Sequence, residues 1–356
     1  MTLLIRSDAS VPVGTGHVMR SLALAQAWQD EGGRVVFAMA ESTHALDERL
    51  RAEGMDVVHL DVRPGSGHDA NRTVELAGEL GAAWIVLDGY QFSADYQGDI
   101  KGADLRLCFI DDYGHAEHYS SDIVLNQNAH AAESLYPHCA PHTQLLLGPK
   151  YALLRREFRS WRAWQRDISP LATKVLVTVG GSDPNNLTLR VMAALQRVEV
   201  ENLEATIVVG GSNPNAASIE RANRQSKQAA RILTDVTNMP EWMAWAEVAI
   251  AAAGIVTWEI CALGLPAILF PVASNQQATA EHLRDLRAAR VIPEIGERSA
   301  AELADEISQL LGSFEERKRI SRGARQLVDG LGCERVISVL HKTAELPLGV
   351  ARNRRA

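Results

Sequence analysis

Closely spaced cysteines are missing from this chain of 356 residues: Cys108, Cys139, Cys261 and Cys333 stand far apart with no C-x-x-C pair. That spacing offers neither a zinc knuckle nor a disulfide framework, and the four are expected as small buried apolar residues. Long apolar runs are missing too. None reaches the ~20 residues of a membrane span, and Met1–Ile5 is short and lacks a small-residue cleavage site behind it, so the expected location is the cytoplasm. Basic charge is in deficit: 36 Lys and Arg against 44 Asp and Glu leave −8, which disfavours nucleic acid and acidic membrane surfaces as partners. A phosphate-bearing ligand would need a local site. Acidic residues do not gather either. Asp111 and Asp112 in "FIDDYG" have no third acidic neighbour to complete a cation site, so no metal and no cofactor is expected, and the pair is assigned to the turn and to supporting contacts.

What is present is alternation. Short β-rich runs, "LLIRSD", "RVVFAMA", "DVVHLDV", "AWIVLDG", "LRLCFIDD", "SDIVLNQN" and "QLLLGP", are separated by amphipathic stretches such as "SLALAQAWQDEG". The pattern restarts after residue 170 with "TKVLVTVGG", "ATIVVGG", "RILTDV", "VAIAAAG", "PAILFPV" and "ARVIPEI". This predicts two α/β units with parallel sheets. The expected division is residues 1–154, a polar connection 155–174, a second unit 175–345 and a frayed tail 346–356. In open α/β sheets ligands lie outside the carboxyl ends of the strands, which is where the notable residues fall.

The first such place is "SDASVPVGTGHVMR". Gly14 and Gly16 allow a sharp turn after the first strand and close approach of a ligand to the backbone; the third glycine of a dinucleotide fingerprint is absent. His17 falls in the first helical turn, where the helix dipole and Arg20 disfavour an imidazolium. Two readings stand: a capping or core histidine, and a neutral general base. Asp88 and Tyr90 in "VLDGYQ" belong to the same sheet edge as His17, Tyr90 to orient the ring or hydrogen-bond a ligand and Asp88 to cap the following turn. Asp8 closes the first strand. Asn126 and Asn128 alternate at another strand end and suit a sugar rich in hydroxyl or amide groups, or loop backbone.

In the second unit "VTVGGSDPNN" and "IVVGGSNPNA" form a near-repeat, read as strand, glycine turn, polar cap and proline at the first helical position; Gly180 and Gly181 of the first copy are phosphate-contact candidates. In "AAAGIVTWEICALGLP" a strand ends before Gly254, and a helix begins over Ile255, Val256 and Thr257, leaving N–H groups for a diphosphate. Glu259 could accept from both ribose hydroxyls or simply compensate the dipole. Asn275 and Gln276 end the next strand, with amides suited to phosphates or sugar.

Taken in order, "RSDAS", "GTGHVMRSLALA", "LDGY", "DIVLNQNA", "GPKYALLRREF", "GGSDPNNLT", the Gly254–Pro266 block and "SNQQATA" resemble the pseudaminic-acid pathway hydrolases, over about residues 3–290. These enzymes cleave UDP-2,4-diacetamido-2,4,6-trideoxy-β-L-altropyranose to the free sugar and UDP. The second unit is also similar to the nucleotide-sugar domain of MurG-type N-acetylglucosaminyltransferases. That resemblance implies the GT-B architecture, two facing Rossmann-like domains with an interdomain cleft.

It further implies His17 as the base that activates water, Tyr90 beside it, Asn275 near the phosphates, Glu259 on the ribose and Val236 offering backbone to uracil. The implied partners are a UDP-sugar substrate and other enzymes of the pathway. The sequence departs from the family at Ala9, where serine is commoner, and in extra helices after residue 297. Glycosyl transfer from a UDP-sugar, hydrolysing 2-epimerisation and noncatalytic nucleotide-sugar binding remain the competing readings.

Overall fold

Strands buried on both faces of a parallel sheet are written as nearly continuous apolar runs, and "LLI" at the amino end is one of them. Leu3, Leu4 and Ile5 are all fully buried; Leu3 and Ile5 pack in one core cluster and Leu4 in another, as the period of two demands. The computed structural model describes residues 1–10, 14–211, 213–234 and 236–345. The tail expected at 346–356 lies outside the described residues. The chain divides into two units, Met1–Arg156 with the segment from Leu331, and Glu157–Gly330.

In the first unit the order is β1 (Thr2–Ser7), α1 (Gly16–Asp30), β2 (Arg34–Met39), α2 (His44–Ala52), β3 (Asp56–His59), α3 (Gly67–Leu80), β4 (Ala82–Asp88), α4 (Ala94–Gly102), β5 (Leu107–Ile110), β6 (Ile123–Asn126) and β7 (Gln144–Leu147). Among the described residues these form a seven-stranded parallel sheet, β3-β2-β1-β4-β5-β6-β7. The order reverses between β1 and β4, whose last residues, Ser7 and Asp88, are register partners. Such a switch point opens a crevice at the carboxyl ends of the two strands.

The second unit contains β8 (Lys174–Thr178), α5 (Leu187–Leu195), β9 (Glu204–Val209), α6 (Ala216–Gln225), β10 (Arg231–Thr234), α7 (Met239–Trp245), β11 (Val248–Ala252), α8 (Val256–Ala262), β12 (Ala267–Phe270), α9 (Gln277–Asp285), β13 (Arg290–Val291), α10 (Ala300–Gly312) and α11 (Phe314–Leu327). Its parallel sheet runs β10-β9-β8-β11-β12-β13, six strands among the described residues, with the reversal between β8 and β11.

Three expectations are corrected. The last helix, α12 (Gly332–Ala344), was expected in the second unit but packs in the first. Cys333, Val336, Ile337 and Leu340 form its buried stripe and join the cluster that holds Ala23 and Trp28 of α1. Gly332 is needed at the entry, since a Cβ there would lie 2.1 Å from the Ala152 carbonyl oxygen. Second, the connection expected at 155–174 is not a free linker: Arg156–Trp161 forms a 3₁₀ segment, and the guanidinium of Arg166 donates to the carbonyls of Met243, Ala246 and Leu263 near the ends of α7 and α8. Third, Pro184 and Pro214 precede their helices, which begin at Leu187 and Ala216, so each proline belongs to the turn rather than to the first helical position.

Candidate functional site

At the first switch point β1 ends at Ser7, the Gly14 amide donates to the Ser10 carbonyl at 2.7 Å, and α1 begins at Gly16. Gly14 has φ +78, a conformation costly for any residue with a Cβ. His17, Arg20 and Ser21 lie three and four residues apart, on one face of α1, and that face meets the end of β4.

All three converge on Asp88. Its Oδ1 accepts from His17 Nδ1 at 2.7 Å and from Arg20 Nη2 at 2.6 Å; its Oδ2 accepts from Arg20 Nε at 2.8 Å and Ser21 Oγ at 2.9 Å. A carboxylate only accepts, so the short contact places the imidazole proton on Nδ1 and the ring lone pair on Nε2. Among the described residues Nε2 has no hydrogen-bond partner, while the side chain as a whole is 9% exposed. Burial opposes ionisation of Asp88, but Arg20 and His17 hold its carboxyl below the usual range.

Arg20 continues the network. Its Nη1 donates to Asp112 Oδ1 at 2.6 Å, and that oxygen also accepts from Asn128 Nδ2 at 2.7 Å. Asp112 Oδ2 accepts from the Tyr90 hydroxyl at 2.5 Å. Tyr90 in turn stands edge-on to His17, with ring centroids 4.7 Å apart at 85°. Against the cost of burial, Arg20 keeps Asp112 well below the ordinary carboxylate value, whereas burial and the Asp112 charge push the Tyr90 phenol up.

Asp8 and Asn126 are taken up by hydrogen bonds within the protein. Asp8 is buried, its carboxylate filled by Arg6, the amides of Ala40 and Glu41, and Gln91. Asn126 is fully buried; its amide donates to Tyr136 at 2.8 Å and accepts from the Asn128 backbone at 3.0 Å. Asp111 gathers His115, Tyr119, Tyr136 and the Gly114 amide. Gly16 is the first residue of α1. Asp88 and Asp112 were named in the sequence without a ligand-facing role, and the signal for them was the H-x-x-R-S spacing: three donors on one helix face demand an acceptor.

In the second unit, Gly180 (φ +92) and Gly181 follow β8 at the switch point. Gly210 of the second near-repeat packs so closely that a Cβ would lie 2.3 Å from the Gly181 carbonyl oxygen. The adjoining end of α5 is satisfied from within: Asp183 accepts from the amides of Leu187 and Thr188 at 2.8 and 2.9 Å. After β11, Gly254, Ile255, Val256 and Thr257 form the turn into α8, where the buried Thr257 hydroxyl has no hydrogen-bond partner among the described residues.

Glu259 is buried on α8. Gln276 reaches the same turn, its Nε2 lying 3.4 Å from where a Gly254 Cβ would stand, while its Oε1 accepts from the Val272 amide at 2.9 Å. Asn275 is half-buried beside it in the 3₁₀ turn Ser274–Gln276. Val236 follows β10, the edge strand, which β9 and β8 separate from β11. Among the described residues no group of three or more His, Cys, Asp or Glu has a metal-binding arrangement.

Residues 174–328 match the Glycosyltransferase family 28 C-terminal domain. The chain is similar to the spore coat polysaccharide biosynthesis protein SpsG of Bacillus subtilis, 29% identical over 57% of this chain, and spans 60% of that protein's length. It also resembles the UDP-2,4-diacetamido-2,4,6-trideoxy-beta-L-altropyranose hydrolase of Campylobacter jejuni, 26% identical over 80% of this chain and 96% of the relative. Among solved structures it is similar to MurG of Acinetobacter baumannii, with a TM-score of 0.63 and 14% identity, covering 96% of this chain and 99% of that one. The fold is α/β and GT-B-like.

Proposed function

We propose that this chain hydrolyses a UDP-linked 2,4-diacetamido-2,4,6-trideoxyhexose of the β-L-altropyranose type to the free sugar and UDP. The observation that carries the reading is the His17–Asp88 pair: a ring fixed by its Nδ1 contact, with no partner for Nε2 among the described residues, at the carboxyl edge of the sheet. Such a nitrogen is a competent base for water. Water deprotonated there attacks the anomeric carbon opposite the departing UDP, so the configuration inverts. As the proton arrives on Nε2, the ring becomes a cation whose charge Asp88 stabilises, while Tyr90 holds the ring's plane.

In the same reading the Gly180–Gly181 and Gly254–Thr257 turns and the amides of Asn275 and Gln276 carry the diphosphate, Glu259 the ribose and Val236 the uracil. Backbone N–H groups at such turns meet the charge growing on the leaving phosphate. Likeness to the Campylobacter hydrolase supports the reaction and the sugar class. The family 28 match supports a second reading, glycosyl transfer from a UDP-sugar donor.

Incubation with the UDP-sugar and no acceptor separates them: hydrolysis releases UDP, and transfer requires an added acceptor. His17→Ala should lower turnover by about 10² to 10⁴ with little change in UDP affinity. Turnover within a few-fold of native removes His17 as the base.

A further inference from the structure

Asp112 makes no hydrogen bond to His17, yet two routes from the His17 ring end on it. One runs His17–Asp88–Arg20–Asp112 through contacts of 2.7, 2.6 and 2.6 Å, and the other runs through the Tyr90 ring and its hydroxyl at 2.5 Å. We propose that Asp112 is a positioning residue for His17 and Tyr90, and that its carboxylate supplies the net negative charge that lets the His17 ring become a cation. The chemistry it would serve is that of the preceding subsection; the geometry stands apart from it.

The positioning half follows from one crowded oxygen. Asp88 Oδ1 accepts both His17 Nδ1 and Arg20 Nη2, and those two nitrogens lie only 3.1 Å apart. Two donors share one acceptor only if the guanidinium keeps a fixed roll. Asp88 grips its Nε and Nη2 edge, and Asp112 draws the remaining Nη1 the other way. Asp112 is itself anchored, by Asn128 on its carboxylate and by His130 Nε2 at 3.0 Å from its carbonyl.

The charge half is a count over the buried set. Asp88 and Asp112 carry two negative charges and Arg20 one positive, all at 6% exposure or less. The sum is −1, and burial makes that charge felt more strongly than it would be in water. Without Asp112, Arg20 would cancel Asp88, and the imidazolium would form against a neutral pair. Among the described residues the groups in contact with His17 or linked to it through that network are Arg20 from its own helix, Asp88 at the end of β4, Tyr90 after it and Asp112 beyond β5; the His115 ring also packs against Tyr90, at 5.6 Å between centroids. Against the cost of burial, the guanidinium of Arg20 favours the ionised form of both carboxylates.

The test is Asp112→Asn, which keeps the shape and removes the charge, followed by turnover against pH and by the ¹H–¹⁵N imidazole spectrum of His17, identified by its loss in His17→Ala. The expected result is kcat lower by about ten- to hundredfold with KM within about threefold, the acid limb of the rate profile moved to lower pH, and an altered Nδ1 proton signal. Native kcat, or lost kcat with a native His17 spectrum, overturns the proposal.

Asp112→Glu keeps the charge and displaces it. It should return the acid limb to its native position with kcat still reduced; a native kcat contradicts the positioning half, and a displaced limb the charge half. If the native chain releases no UDP from the sugar nucleotide, the functional reading fails, and the His17 spectrum of the Asn variant still decides whether Asp112 holds the ring.

Discussion

In the proposed reaction a histidine acts as a directed base when something else decides which nitrogen carries the proton, and the 2.7 Å contact of Asp88 with Nδ1 is what would decide it. His17 was visible in the sequence from the glycines around it and from its place after a strand; its carboxylate was not, because the two residues are 71 apart in sequence. Only the H-x-x-R-S spacing pointed to a shared acceptor. Asn126 shows the opposite outcome: alternation placed it at a strand end, but its amide is consumed inside the protein. The carboxylates also set a pH signature. Against the cost of burial, Arg20 holds Asp88 and Asp112 below the ordinary value, and His115 and Tyr136 hold Asp111 below it. A depressed folded value gives stability that is complete above the unfolded one and lost as pH falls through the folded one. The unfolding midpoint should therefore be steady above about pH 5 and fall below about pH 4. The raised phenols of Tyr90, Tyr119 and Tyr136 work in the other direction, contributing below about pH 10 and less as pH rises beyond it. Calorimetry across pH checks both limbs, and Asp112→Asn should flatten the acid one; an unchanged acid limb would mean that Asp112 is not ionised in the fold.

Elements were the most legible level. Parallel strands buried on both faces announce themselves as apolar runs that end at a Gly or Asp turn, and β1, β4, β8 and β11 follow that rule. Helix α12 was legible as a helix but not in its allegiance. Periodicity shows that Cys333, Val336, Ile337 and Leu340 share a face, and says nothing about which core receives it. What selects the first unit is close backbone approach at Gly332 and the fit against α1. Gly332→Val, which forces a side chain into the Ala152 backbone, should destabilise the first unit by about 2 kcal/mol or more, as overpacking does. Denaturant unfolding of that variant measures it, and a change below about 0.5 kcal/mol would show that α12 docks loosely.

At the scale of the molecule each unit carries its own sheet, its own core and its own switch point; His17, Asp88 and Tyr90 stand at the β1/β4 reversal and Gly180, Gly181 and Gly254 at the β8/β11 reversal, whereas Asn126 and Val236 lie at strands farther out. Expressed alone, Glu157–Gly330 should unfold cooperatively, whereas residues 1–156 without α12 should lack a sharp transition, because their core is left without the apolar stripe of that helix. A sharp transition for 1–156 would contradict the assignment of α12. For the proposed hydrolysis, the direct question is which bond water breaks. Turnover in H₂¹⁸O without an acceptor, with the product UDP read by ³¹P NMR, answers it for the native chain and for His17→Asn. Attack on the anomeric carbon leaves the β-phosphate of UDP unlabelled, and the His17 variant is slow. Label on that phosphate, or no UDP formed in the absence of an acceptor, would contradict the account.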